Sequence, residues 1–208
     1  MLNNKQIKDL FGILTETIKD PETELQFSNN YTLTVAVILS AQAKDVMVNI
    51  ATEPLFKIVD TPEKMLLLGE EKLIEYIKII GLYKNKAKNI MLMSQQLIDK
   101  HNSIIPDNFE DLIQLAGVGR KTANVILNVA FKQDTMAVDT HVFRVSRRMG
   151  LSAGKDVLQV EKDLLEKIPN PYRNSAHHLL ILHGRYTCKA KGFDCTTCLV
   201  NKICERNF

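Results

Sequence analysis

The chain has 208 residues, 45% of them hydrophobic and 25% charged, with a formal net charge of +3. That composition excludes a mainly disordered chain, a collagen-like fibre and a coiled-coil rod, and the length allows one large domain or two small ones around an unstapled core. No apolar run nears the roughly 18 residues of a membrane helix: the longest, Val35 to Leu39, is flanked by Thr34 and interrupted by Ser40 and Gln42. Met1-Leu2-Asn3-Asn4-Lys5 lacks the charged-then-apolar layout of a secretory signal, so a cytoplasmic protein is expected.

Helical spacing dominates the chain. Ile7, Leu10, Phe11, Leu14 and Ile18 recur on one helical face, and the pattern stops before Pro21. Tyr31 to Ile38 is ambiguous, because its apolar and β-branched residues suit a strand or a buried helix. Leu73, Ile74, Ile77 and Ile80 make a second stripe, ending at Gly81. A third helix is predicted over Lys86 to His101. A fourth carries Val160, Leu164, Leu165 and Ile168 and breaks at Pro169-Asn170-Pro171. A fifth runs from about Asn174 to Tyr186. No hairpin series, repeat or low-complexity tract interrupts this, so the chain reads as all-α, with any domain boundary invisible to composition.

Three motifs carry chemistry. The first is Leu115-Ala116-Gly117-Val118-Gly119-Arg120-Lys121-Thr122-Ala123, between a short amphipathic segment (Phe109, Leu112, Ile113) and a helix through Val125, Ile126 and Val129. Two glycines permit a tight turn and let a ligand approach without a Cβ in the way. The N–H groups opening the second helix make an anion site that suits a backbone phosphate and reads no base sequence. A glycine-bearing αα-turn alone needs no such role, but Gly-Val-Gly followed by Arg-Lys-Thr-Ala matches the helix-hairpin-helix of DNA-binding proteins. The second motif is Val138-Asp139-Thr140-His141, where Asp139 or Thr140 could be simply an N-cap.

The third motif is cysteine. All four cysteines lie near the C-terminus, as Cys188-x6-Cys195-x2-Cys198-x5-Cys204. Crowded thiolates can enclose one metal centre. The spacing leaves an iron–sulfur cluster and zinc both open, with the single Cys-x2-Cys pair favouring the cluster, and disulfides less suited to a cytosolic chain. Arg185, Lys189, Lys191, Lys202 and Arg206 surround it against Asp194 and Glu205. This loop reads as a metal-ordered phosphate clamp or as an ordinary solvated surface. The overall balance, with pI near 8.6, only hints at a polyanion partner.

Taken in this order, the motifs resemble those of the endonuclease III family, DNA glycosylases and abasic-site lyases of the helix-hairpin-helix superfamily. The resemblance extends to Leu39-Ser40-Ala41-Gln42-Ala43-Lys44-Asp45-Val46, Ile80-Gly81-Leu82-Tyr83 and Leu182-His183-Gly184-Arg185-Tyr186-Thr187-Cys188. It covers nearly the whole chain. One departure is Ala116, where the family usually has proline; a looser turn is expected, with no donor lost.

The resemblance implies two helical domains flanking a DNA-binding cleft. One is a six-helix domain over residues 22–132 that holds the hairpin. The other joins residues 1–21 to 133–208 and holds a 4Fe–4S cluster on Cys188, Cys195, Cys198 and Cys204. It implies that Lys121 attacks the deoxyribose C1′ of a flipped damaged nucleotide, giving a Schiff base, and that β-elimination then cuts on the 3′ side. That attack needs a neutral amine, which a helix N-terminus and partial burial would favour. Asp139 would activate the nucleophile or stabilise the cationic sugar. Gln42 and Leu82 would enter the duplex where the base was, the amide bonding the orphaned base and the leucine replacing lost stacking. Gly117, Val118, Gly119, Arg120 and Thr122, with Lys189 and Lys191, would contact the DNA backbone. The implied partner is duplex DNA with damaged bases, oxidised pyrimidines above all, or abasic sites. The implied protein is a monomer working at the nucleoid. A related adenine glycosylase shares the hairpin and cysteine spacing, but it lacks the lysine and carries a glutamate near the place of Val37. A non-catalytic DNA-binding protein with a structural metal would not need Lys121 with Asp139.

Overall fold

The structure is a computed structural model that describes residues 1–208. It contains eleven α-helices and one 3₁₀ turn, with no strand. None of the helices is long and apolar enough to cross a membrane. The chain divides into two compact units, one from Glu24 to Phe131 and the other from Met1–Thr23 together with Lys132–Phe208.

The continuous unit holds α2 (Asn30–Ser40), α3 (Asp45–Phe56), α4 (Pro62–Leu68), α5 (Glu70–Ile77), α6 (Tyr83–His101), α7 (Phe109–Leu112) and α8 (Arg120–Phe131). The ambiguous segment at Tyr31 is α2, opened by a capping box between Asn29 and Thr32. Every residue from Tyr31 to Leu39 is buried, because α3, α6 and α8 pack around it. A helix covered on all sides needs no polar face, so its sequence has no helical period to read. Its hydroxyls find local acceptors: Thr34 donates to Asn30 O at 2.8 Å. Tyr31 and Ser94 share a buried 2.7 Å bond that ties α2 to α6.

The α6 helix is the longest and begins three residues before the predicted start, with Leu82 as its N-cap. Leu82 is left-handed (φ 60°), as is Gln42 (φ 55°) in the turn after α2. Such conformations are uncommon for non-glycine residues and cost energy, so the surrounding structure must impose them.

The discontinuous unit holds α1 (Asn4–Thr17), α9 (Thr140–Met149), α10 (Val157–Lys167), the 3₁₀ turn Asn170–Tyr172 and α11 (Arg173–Tyr186). A capping box between Asn3 and Gln6 opens α1, whose buried stripe is Ile7, Leu10, Phe11 and Leu14. That stripe joins Val142, Val145, Val160, Leu164, Leu179 and Leu180 in one core. Phe11 stacks on Tyr172 at 5.9 Å between centroids. The Pro169-Asn170-Pro171 break is the 3₁₀ turn. Gly184 lets α11 lie close on α9: a Cβ there would sit 3.0 Å from His141 Cβ and 3.1 Å from Val145 Cγ2.

Candidate functional site

In the continuous unit, the hairpin runs from α7 into α8. Gly117 has φ 79°, a conformation that glycine adopts without strain. It also leaves room, since a Cβ would come within 3.0 Å of Asn89 Cβ on α6 and 3.3 Å of Ile38 Cγ2 on α2. Val118 is buried and anchors the turn, while Gly117, Gly119, Arg120 and Lys121 are exposed and Thr122 is half-buried. The anchor is fastened by a bond from Val118 N to Leu115 O at 3.1 Å. Arg120 lies over the Phe109 ring, 5.1 Å from its centroid, joining the two arms of the hairpin. Lys121 stands in the first turn of α8, where helix N–H groups have no partner within the helix. Lys121 falls among the exposed residues, not the half-buried ones.

The turn is not left loose by Ala116. Unlike proline, alanine has an N–H, and it donates to Gln96 Oε1 at 2.7 Å. The same amide donates from Nε2 to Gln114 O at 3.1 Å. Gln96 thus clamps the hairpin from α6. Sequence reasoning missed it, because a half-buried glutamine on a long helix carries no local signal.

Gln42 and Leu82 are both exposed, Leu82 at 58%. An apolar side chain held out on a strained turn has no packing reason to be there, unlike the buried Ile80 two residues earlier.

In the discontinuous unit, Asp139 is the N-cap of α9. Its Oδ1 accepts from His141 N and Val142 N, both at 2.8 Å. The structural role weighed for it is therefore real. Arg144, on the same helix, donates Nη2 to Gly184 O at 2.8 Å and to Cys188 O at 3.1 Å, fastening α9 to the start of the cysteine loop.

None of the four cysteines forms a disulfide; all are half-buried, and all line one cavity with Arg148, His183 and Phe193. Burial pushes the Cys198 and Cys204 thiols up, and the neighbouring cysteines add to it. Packed sulfurs of this kind need a compensating cation to be thiolates. No three potential ligands gather around one point that could hold a single metal ion. Arg148 reaches Cys188 Sγ with Nη1 at 3.5 Å and Lys189 O at 2.8 Å. Its guanidinium lies over Phe193 at 4.3 Å and Phe208 at 5.3 Å. Cys204 Sγ donates to Arg148 O at 3.6 Å, and Cys198 Sγ lies 3.9 Å from His183 Nε2. Burial pushes His183 down to about 4, so its ring is neutral at pH 7. Lys189 and Lys191 are exposed on this loop.

This hairpin, with its cysteine loop, places the chain in a class, and comparison makes the class explicit. Residues 35–170 match the HhH-GPD superfamily base excision DNA repair protein family, and the chain belongs to it. Among its relatives, endonuclease III of Rickettsia prowazekii (strain Madrid E) is 54% identical over 196 residues, covering 94% of this chain and 92% of that protein. Endonuclease III of Escherichia coli (strain K12) is 47% identical over 204 residues, covering 98% and 97%. A trapped endonuclease III–DNA covalent intermediate, in an estranged-adenine complex, superposes with a TM-score of 0.92 at 42% identity, covering 99% of this chain and 97% of that one.

Proposed function

We propose that this chain is a base-excision repair DNA glycosylase with abasic-site lyase activity, acting as a monomer on damaged pyrimidines in duplex DNA at the nucleoid. The observation that carries the reading is a primary amine, Lys121, exposed in the first turn of α8 directly after the Gly117–Gly119 turn. Gly117, Val118, Gly119, Arg120 and Thr122 present the hairpin to a DNA phosphate, which holds the strand without reading its sequence.

The chemistry follows from that amine. The Lys121 Nζ lone pair attacks C1′ of the flipped nucleotide, and the C1′–N glycosidic electrons leave with the base, which takes a proton. Nζ gives up a proton, the C1′–O4′ bond breaks with its electrons going to O4′, which is protonated, and the Nζ lone pair forms the C1′=Nζ iminium. Loss of a proton from C2′ gives the C2′=C3′ double bond and expels the 3′ phosphate, cutting the strand. Asp139, as a carboxylate, stabilises the cationic sugar or takes the nucleophile's proton. Gln42 and Leu82 fill the space left by the flipped base. Lys189 and Lys191 on the cysteine loop add phosphate contacts.

Cys188, Cys195, Cys198 and Cys204 suit one 4Fe–4S cluster, which would order this loop rather than supply reaction chemistry. Four half-buried cysteines lining one cavity suit a cubane, which would be held by one thiolate on each iron. Arg148 and the neutral His183 stand beside the sulfurs to stabilise their charge.

The test is incubation with an abasic duplex, with and without borohydride. Strand cleavage without the reductant and a covalent protein–DNA adduct with it are expected. Binding without cleavage or an adduct would refute the lyase activity and leave a glycosylase without a lyase step or a DNA-binding module.

A further inference from the structure

Lys86 is 5% exposed on α6, which is costly for a cation. Its backbone N–H donates to Leu82 O at 3.1 Å. Its ammonium donates to Leu39 O at 2.9 Å, at the C-terminal end of α2. That carbonyl is among those a helix leaves without an internal partner, and a cation there complements the helix dipole. Burial holds the Lys86 ammonium below the ordinary lysine value. A methionine of similar length would fill the space without the desolvation, so packing alone does not explain a lysine.

The two carbonyls have something in common. Leu39 lies three residues before Gln42, and Leu82 lies four before Lys86. Gln42 and Leu82 are both left-handed and exposed, and Leu82 has no side-chain cap to hold it. One residue thus bonds beside both turns, its main chain to Leu82 itself and its side chain to the end of α2, three residues before Gln42.

We infer that Lys86 is a positioning residue that fixes the Gln42 and Leu82 turns at one separation, so that both side chains enter a duplex together. The inference rests on the glycosylase reading above. Insertion by two side chains from different turns succeeds only if their spacing matches the gap left by one flipped nucleotide. Lys86 sets that spacing before DNA arrives, which removes an ordering cost at the moment of binding. The role concerns duplex DNA alone, because a single strand has no orphaned base to bond and no stack to refill.

The experiment compares two substrates: a duplex bearing an oxidised pyrimidine, and a single strand bearing an abasic site. Lys86→Met should slow single-turnover excision in the duplex roughly 10- to 100-fold, the scale of a small misplacement. Borohydride trapping on the single strand should stay within about twofold, since that step needs Lys121 and its proton acceptor but no side chain that fills a base stack. In a Gln42→Ala, Leu82→Ala background, Lys86→Met should add no further loss, because coupled residues are not additive. Lys86→Arg keeps the charge with a different reach, and should show the same duplex-selective loss in smaller measure, even if the methionine variant folds poorly. Equal losses on both substrates, or full additivity in the double-alanine background, would overturn the inference and leave Lys86 a plain cap of α2. A wild-type protein inactive on both substrates would refute the lyase reading instead. Fluorescence anisotropy of abasic duplex against abasic single strand would then decide the Lys86 role, a duplex-selective loss of affinity in Lys86→Met supporting it and an equal change opposing it.

Discussion

Asp139 has a cap role that the fold displays and a catalytic role proposed above, and one substitution separates them. Its Oδ1 caps α9 through two amides, and asparagine caps helices as well as aspartate does. Asp139→Asn should therefore leave thermal stability within about 1 kcal/mol of wild type. On the proposed mechanism it should still slow base excision, by roughly 100-fold, because the charge assigned to assist the reacting sugar would be gone. Single-turnover excision beside a melting curve checks this, and normal turnover would reduce Asp139 to its cap. The residues alone favoured the cap, and only the resemblance supplied the second role. Ala116 is the opposite case. The departure from proline was legible, but its compensation by Gln96, 20 residues earlier, was not. Gln96→Leu should cost about 1–3 kcal/mol by leaving the Ala116 N–H without its acceptor. Adding Ala116→Pro removes the donor itself and should restore most of the loss, readable from denaturant midpoints of the four proteins in the cycle.

Elements were legible in proportion to how one-sided their burial is. Helix α1 buries one face and shows it as Ile7, Leu10, Phe11 and Leu14, so its end before Pro21 could be read to within a few residues. Helix α2 is buried all round, and its residues cannot distinguish helix from strand. Helix α3 was missed because Val46 and Ile50 are exposed while Val48, Ala51 and Leu55 are buried, which blurs any stripe. Its Pro54 also reads as a breaker. Helix α9 joins the Asp139 cap to the cysteine loop through Arg144 and Arg148, four residues apart on one face. That spacing was in the sequence, and only the partners were hidden. The close approach of α9 and α11 depends on Gly184. Gly184→Ala should push His141 and Val145 aside at about 1–3 kcal/mol. Because Arg144 bridges these helices to Cys188, the variant should also lose iron faster than wild type on chelator challenge if the proposed cluster is held there. Unchanged stability would show that the helix pair yields without cost.

At the scale of the whole molecule, the all-helical class and the four-cysteine loop were visible from composition and spacing, while the division into two units was not. One unit is interrupted in sequence, Met1–Thr23 returning to Lys132–Phe208, and no change in composition marks either crossing. What joins those segments is a core that pools α1 with residues more than 100 positions away, such as Val142 and Leu179, which only folding reveals. The same holds for the proposed cluster: the four cysteines were legible as candidate ligands, whereas Arg148 and His183 beside the sulfurs came from the fold. Protein purified anaerobically should be yellow-brown with about four irons per chain, and stoichiometric zinc without visible absorbance would contradict the cluster. The central claim, that a hairpin amine does the chemistry, is tested most directly by borohydride trapping of Lys121→Gln on an abasic duplex. Glutamine has no nucleophilic amine, so the covalent adduct should vanish while duplex affinity, held by the hairpin and the basic loop, changes little. An adduct of undiminished yield would contradict the account and place the nucleophile elsewhere.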